Sequence, residues 1–203
     1  MEGVEHASPG MLLLLIVICG AVLFYMRRAR QGKPTFVRRI PGIDAINEAI
    51  GRSAELGKPM SFTTGLTGVS PVLYAALGVL FYTSRKAALF ASKLFVPQAA
   101  PDAMAIVEDV MRDAYRSAGR LSSFDSQQII FLSEDQLAFA SGYMGLIHRE
   151  KVASTFLFGS FAGEALILAE AGQQIGAMQV AATVTPEQVA FFIAACDYTL
   201  IGE

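Results

Sequence analysis

An uninterrupted apolar segment, Met11–Met26, constrains this chain more than any other feature of its sequence. Its length approaches the roughly 20 residues that a helix needs to cross the hydrocarbon core of a bilayer. Pro9 and Gly10 extend it on the N-terminal side, and no charged residue gives it the polar face of a surface helix. The segment therefore predicts a transmembrane helix over 11–26, preceded by a short N-terminus over 1–10.

The charges around this segment favour one orientation. Carboxylates precede it at Glu2 and Glu5, whereas a signal peptide carries positive charge before its apolar region and a small-residue cleavage site after it. The residues that follow it are cationic: Arg27, Arg28, Arg30 and Lys33. By the positive-inside rule this flank stays in the cytoplasm. We expect a single pass through the cytoplasmic (inner) membrane, with the N-terminus outside and the main domain inside.

The basic stretch 27–40 is predicted to be a juxtamembrane linker, since Gly32 and Pro34 interrupt it. Its cations suit the anionic headgroups of a lipid bilayer, which is the first expected partner. Nucleic acid is not an expected partner, because the whole chain carries a net charge of −2. Cys19 and Cys196 are expected in different solvents and unpaired, and neither has the neighbours of a metal site. No cofactor or metal is predicted.

Beyond the linker, short β-prone runs alternate with helical segments of ten or more residues. This alternation favours βαβ units, and the nearly continuous apolar character of the runs favours strands buried on both faces. We predict a Rossmann-like three-layer α/β domain over 41–203 with a mostly parallel sheet. The predicted strands are Met60–Thr64, Leu94–Val96, Ile129–Leu132, Val152–Phe158, Ala177–Thr183 and Phe191–Cys196. Pro97 is expected to end the second strand, and the short connection to the sixth predicts an antiparallel edge strand.

Capping residues mark the starts of several predicted helices. Pro41 is favoured at a first helical position, and Ser70 before Pro71 is a typical N-cap. Ser133, with Gln136 three residues later, has the pattern of a capping box. The signals at Ser70 and Ser133 place helices after predicted strands, as a doubly wound fold requires.

The loop after the first predicted strand is the main candidate binding site. Ligands of open α/β sheets bind at the carboxyl ends of the strands. The segment from Thr64 to Ser70, with Gly65 and Gly68 between them, leads from a strand into a helix N-terminus and so resembles a phosphate-binding loop. It lacks the spacing of a dinucleotide motif and the lysine of a P-loop, and small residues also suit a tight turn between strand and helix.

Two further side chains are candidates at this edge. Ser160 lies in the segment GSFAG, one position too early for a nucleophile elbow, and a helix cap is the alternative explanation. A hydrolase triad would have to recruit His148. Asp197 follows the last predicted strand and is expected at the rim of the sheet, in either a structural ion pair or a catalytic role. No complete catalytic constellation emerges, so no catalytic residue is predicted.

Three segments together resemble a bacterial family of membrane-anchored proteins known only as a domain of unknown function. They are RIPGIDAINEAIGR at 39–52, the stretch 149–170 and ACDYTLIGE at 195–203. The resemblance implies an anchored α/β domain whose chain continues past Glu203. It implies no activity and no catalytic residues.

The first functional expectation is a non-enzymatic scaffold or assembly subunit, acting as a homo-oligomer or within a larger membrane complex. A membrane tether raises the effective concentration of neighbouring copies, which favours assembly. The alternative is a membrane-tethered sensor that binds a nucleotide or another anion at Thr64–Ser70 and near Asp197. A hydrolase is the second alternative.

Overall fold

The computed structural model describes residues 9–30 and 40–201, which belong to two compact units, 1–39 and 40–203. In the first unit a single described helix, α1 (Pro9–Arg30), exposes its apolar side chains along its whole length. This helix is long and apolar enough to cross a membrane. It contains the predicted span 11–26, and Arg27, Arg28 and Arg30 lie in its last turn. Lys33 lies outside the described residues, as do the rest of the linker up to residue 39 and residues 1–8.

The second unit is an α/β domain built on one sheet of six parallel strands. Its helices are α2 (Pro41–Leu56), α3 (Pro71–Phe90), α4 (Pro101–Ser117), α5 (Gln136–Glu150), α6 (Glu164–Gln174) and α7 (Pro186–Ala195). Its strands are β1 (Met60–Gly65), β2 (Leu94–Gln98), β3 (Ile129–Phe131), β4 (Ser154–Ser160), β5 (Met178–Thr183) and β6 (Tyr198–Ile201). Two short 3-10 turns, Leu121–Ser123 and Ser126–Gln128, precede β3.

The strand order β3-β2-β1-β4-β5-β6 is that of a doubly wound Rossmann fold. One hydrophobic core lies between the sheet and the helices α2, α3 and α4, and a second lies between the sheet and α5, α6 and α7. In the first core the ring of Phe62 stacks on that of Phe158, with centroids 5.8 Å apart. These two cores confirm the three-layer α/β prediction. The order reverses between β1 and β4, so the carboxyl ends of these strands mark the usual ligand crevice.

The sixth predicted strand is wrong. Phe191–Cys196 falls mostly within α7, and the true last strand, β6, is parallel to β5 rather than antiparallel. Pro186 supplies the first residue of this ten-residue crossover helix. The unbroken apolar run 189–195 lacks a helical period, and such a run cannot be told from a buried strand by periodicity.

Three boundary predictions also differ from the structure. Pro97 lies inside β2, where the pairing with β1 has ended and the Thr63 hydroxyl donates to the Pro97 carbonyl (2.9 Å). The N-cap of α5 is Asp135, not Ser133, because the Asp135 carboxylate accepts from two N–H groups of the first turn. Ser160 caps no helix; it is the last residue of β4, and Gly163 stands before α6.

Candidate functional site

The loops after β1 and β4 meet at the point where the strand order reverses. Gly65 is paired with Ser160, and the N–H of Leu66 donates to the Ser160 carbonyl at 3.3 Å. In return, the N–H of Ser160 donates to the Thr67 hydroxyl at 2.7 Å. The structure therefore brings together Thr64, Gly65 and Ser160 from the predicted site.

Protein atoms fill the crevice between these two loops. Gly65 has a positive φ of +63°, and a Cβ there would lie 2.6 Å from the Phe161 ring. A Cβ on Gly159 would lie 2.2 Å from the Thr64 carbonyl oxygen. The glycines are thus needed for close packing of the two loops, which is the tight-turn explanation that the sequence left open.

The β1–α3 loop offers an anion few unpartnered N–H groups. The N–H of Gly65 donates to the Thr63 hydroxyl at 3.1 Å, and the N–H of Val69 faces the Asp102 carboxylate at 3.4 Å. Ser70 accepts from the first turn of α3 as its N-cap, as predicted. The Asp102 carboxylate also lies beside Gly68, where it would repel a phosphate. Anion binding remains a prediction that this geometry does not favour.

Asp197 lies at the amino ends of the strands, whereas the crevice lies at their carboxyl ends. It directly precedes β6. The sequence predicts it after a strand, because the sixth strand is predicted at Phe191–Cys196. Its Oδ2 accepts from the N–H of Gln179, near the start of β5, at 2.7 Å. The predicted position of Asp197 at the carboxyl ends of the strands is therefore wrong, and Asp197 and Thr64 do not share a site.

His148 and Ser160 also lie at opposite ends of the parallel strands. His148 is in the last turn of α5, which leads into the amino end of β4, whereas Ser160 ends that strand. The geometry therefore separates the histidine of the hydrolase hypothesis from its nucleophile. In the described ranges, no group of three or more His, Cys, Asp or Glu side chains is placed to hold a metal ion.

Next to the filled crevice, an apolar pocket of about 410 Å³ opens between α2 and α3. Its floor is formed by the carboxyl ends of three strands, with Phe158 from β4, Thr183 from β5 and Leu200 from β6. None of the described residues that line it carries a charge. Its volume lies within the range of about 300–1,000 Å³ that is typical of ligand sites. This pocket, which the sequence did not reveal, is a candidate site of the domain.

The polar side chains of the pocket already have partners within the protein. The Tyr82 hydroxyl donates to the Asn47 side-chain oxygen, and the Thr183 hydroxyl accepts from the N–H of Thr185 at 3.2 Å. The sequence signal was weak, since Ile40 and Ile43 are only two of many partly exposed apolar residues, and such residues are normal on a protein surface. The pocket is lined by residues of α2, α3 and three strands, so it is a tertiary feature.

On the face of the sheet opposite the pocket, burial raises the pKa of two ionisable groups. Desolvation raises the pKa of the Tyr143 hydroxyl, and the nearby hydroxyls of Ser61 and Thr155 offset only part of that rise. Desolvation, and after it the neighbouring Asp197 carboxylate, raises the pKa of the Cys196 thiol to about 12. Cys196 is therefore protonated at neutral pH and lacks the thiolate that nucleophilic or metal chemistry needs.

We expect Cys196 in the folded protein to resist alkylation by iodoacetamide at pH 9, because its pKa is about 12 instead of the ordinary 9.0. The folded state gains stability from this thiol below pH 9 and loses that contribution as the pH rises from 9 to 12. Mass spectrometry of a Cys19→Ser variant would follow the labelling, with the same variant unfolded in guanidinium as the control. Equal rates in the folded and unfolded protein would contradict the expectation.

No curated protein and no solved structure matches this chain. A family model described as "Domain of unknown function (DUF6754)" matches residues 3–203. This match confirms the resemblance to a family of unknown function that the segments at 39–52 and 195–203 indicated. The chain belongs to the family described as Domain of unknown function DUF6754.

Proposed function

We propose that this chain is a single-pass, membrane-anchored assembly subunit without an enzymatic role, and that its α/β domain pairs with a second copy. In this proposal α1 crosses the cytoplasmic (inner) membrane with its N-terminus outside, because the arginines of its last turn favour the cytoplasmic side. The observation that carries the proposal is an exposed apolar surface at one edge of the sheet.

Helix α7 presents apolar side chains where a surface helix normally presents polar ones. Phe192 is its one fully buried residue. Phe191 is 37% exposed and Ile193 is 57% exposed, and Ala190 and Ala194 are exposed beside them. A surface helix normally places polar residues toward solvent, and a contiguous apolar patch marks an interaction site.

Strand β6 continues this surface. Tyr198 and Leu200 pack against the core under α2, so strand alternation directs Thr199 and Ile201 to the side of α7. Ile201 is 69% exposed, and β6 pairs only with β5 within the described part of the chain. We call this surface the α7–β6 edge and define it by Phe191, Ile193 and Ile201.

A second copy of the chain is the occupant that fits this edge best. A two-fold axis beside β6 would pair the outer edges of two β6 strands and bring the two α7 helices together, as in an isologous dimer. The three residues that define the edge are uncharged, so none of them repels its counterpart in a second copy. Anchoring in one membrane raises the effective concentration of the copies and supports pairing.

We expect the detergent-solubilised full chain to be a dimer and the Ile193→Glu variant to be a monomer, because pairing would bury one unpaired carboxylate from each copy. Multi-angle light scattering with correction for bound detergent would measure the protein mass.

Leu137→Glu is the matched control, since Leu137 is 65% exposed on α5, outside the α7–β6 edge. Circular dichroism would verify that both variants are folded. A monomeric parent chain, or an Ile193→Glu variant that stays dimeric, would refute the proposed pairing.

A further inference from the structure

We propose that the apolar pocket between α2 and α3 binds one hydrocarbon chain of a membrane lipid. The pocket is a second feature, separate from the α7–β6 edge, and the inference shares with the proposed function only the anchoring of α1 in a membrane. Its starting point is the shape and the chemistry of the pocket wall.

The wall excludes a charged or strongly polar ligand. The described lining residues include no charged side chain, so nothing there would compensate a buried phosphate or carboxylate. The hydroxyls of Tyr82 and Thr183 are already hydrogen-bonded to Asn47 and to the backbone of Thr185. The ligand portion inside the pocket must therefore be hydrocarbon, while any headgroup stays at the opening.

Small residues on α3 and on the sheet keep the pocket open. Ala75 and Gly78 line it from α3, and Ala182 lines it from β5. A Cβ placed on Gly78 would meet no atom within 4 Å, so a larger side chain at that position has room. Apolar cavities of this kind are poorly hydrated and take up apolar ligands.

The tether supplies the ligand. The domain that holds the pocket is joined by residues 31–39 to a helix that is long and apolar enough to cross a membrane. Lipid is then the hydrocarbon with the highest local concentration, by the same effective-concentration argument that applies to linked binding modules. The chemistry favours one acyl chain over a peptide, because a peptide backbone would bring unpaired polar groups against this wall.

The test is photolabelling of the full chain in nanodiscs of phosphatidylcholine whose acyl chains end in a diazirine. In the bilayer, this label lies near the midplane and reaches α1. We expect adducts on α1 and also on the α3 segment Val72–Tyr82, because an acyl chain drawn into the pocket carries its label there.

Gly78→Leu should fill the pocket and lower the α3 adduct by about tenfold relative to the α1 adduct, as loss of a binding site requires. Gly51→Leu is the matched control, since Gly51 is also a helix glycine with open space at its Cβ but does not line the pocket. Circular dichroism would verify that both variants are folded.

Each outcome has one meaning. Labelling of α1 without labelling of α3 overturns the pocket inference and leaves the anchor intact. Equal α3 labelling in the parent chain and in Gly78→Leu also overturns it, because the adduct would not depend on the pocket. Absence of label from α1 itself would refute the anchor, and with it the premise shared with the proposed function.

Discussion

Replacing Gln179 with leucine is expected to lower the free energy of unfolding by about 3 kcal/mol or more. The amide nitrogen of this buried side chain donates to the carbonyls of Ala169 (2.7 Å) and Ala195 (2.9 Å). Its amide oxygen accepts from the Thr155 hydroxyl at 3.2 Å. Leucine would remove these three buried hydrogen bonds without replacing any of them, and each buried polar group that loses its partner costs about 1–3 kcal/mol.

Urea denaturation followed by circular dichroism would measure the loss. Gln173→Leu is the control, because Gln173 is exposed on α6 and surface substitutions usually change stability by no more than about 0.5 kcal/mol. Similar losses in both variants would contradict the importance of the Gln179 amide. Gly172 on α6 leaves room for this amide, because a Cβ at that position would lie 2.1 Å from the Gln179 side-chain oxygen.

Replacing Gly159 with alanine is the second change with a large expected effect. The new Cβ would lie 2.2 Å from the Thr64 carbonyl oxygen and 2.6 Å from the Thr67 hydroxyl. Backbone must therefore move at the centre of the sheet, where β1 and β4 are paired. We expect a loss of about 3 kcal/mol or more, at the upper end of what overpacking costs.

Gly78→Ala is the matched control for this variant. It places a methyl group in open space within a helix, where alanine is favoured over glycine by about 0.5–1 kcal/mol. The same urea titration should therefore show opposite signs for the two glycine-to-alanine changes. A Gly159→Ala variant as stable as the parent chain would show that the β1–β4 contact can relax.

The sequence sufficed for features that depend on local pattern. The α/β alternation predicted the layered fold, and Pro41 and Ser70 were placed correctly at helix starts. The apolar run 11–26 is predicted as a helix long enough to cross a membrane, because a membrane imposes a length on the helix that crosses it. Each of these features follows from composition and spacing within one segment.

The features that the sequence missed depend on contacts between distant segments. The apolar run Phe191–Cys196 is predicted as a strand, whereas it lies mostly in α7, which exposes much of its apolar surface. Asp197 is consequently predicted at the carboxyl ends of the strands, whereas it lies at their amino ends. The pocket was not predicted because its lining comes from α2, α3 and three strands, which are distant from one another in the sequence.

The all-parallel strand order has a consequence for the biosynthesis of this protein. The central strand β1 pairs with β4, whose residues follow it by about 90 positions in the chain, as with Met60 and Ser154. At a translation rate of about 5–20 residues per second, β1 waits about 5–20 s for this neighbour to leave the ribosome. During that interval the side of β1 that pairs with β4 is open, so the emerging domain exposes apolar surface until β4 arrives.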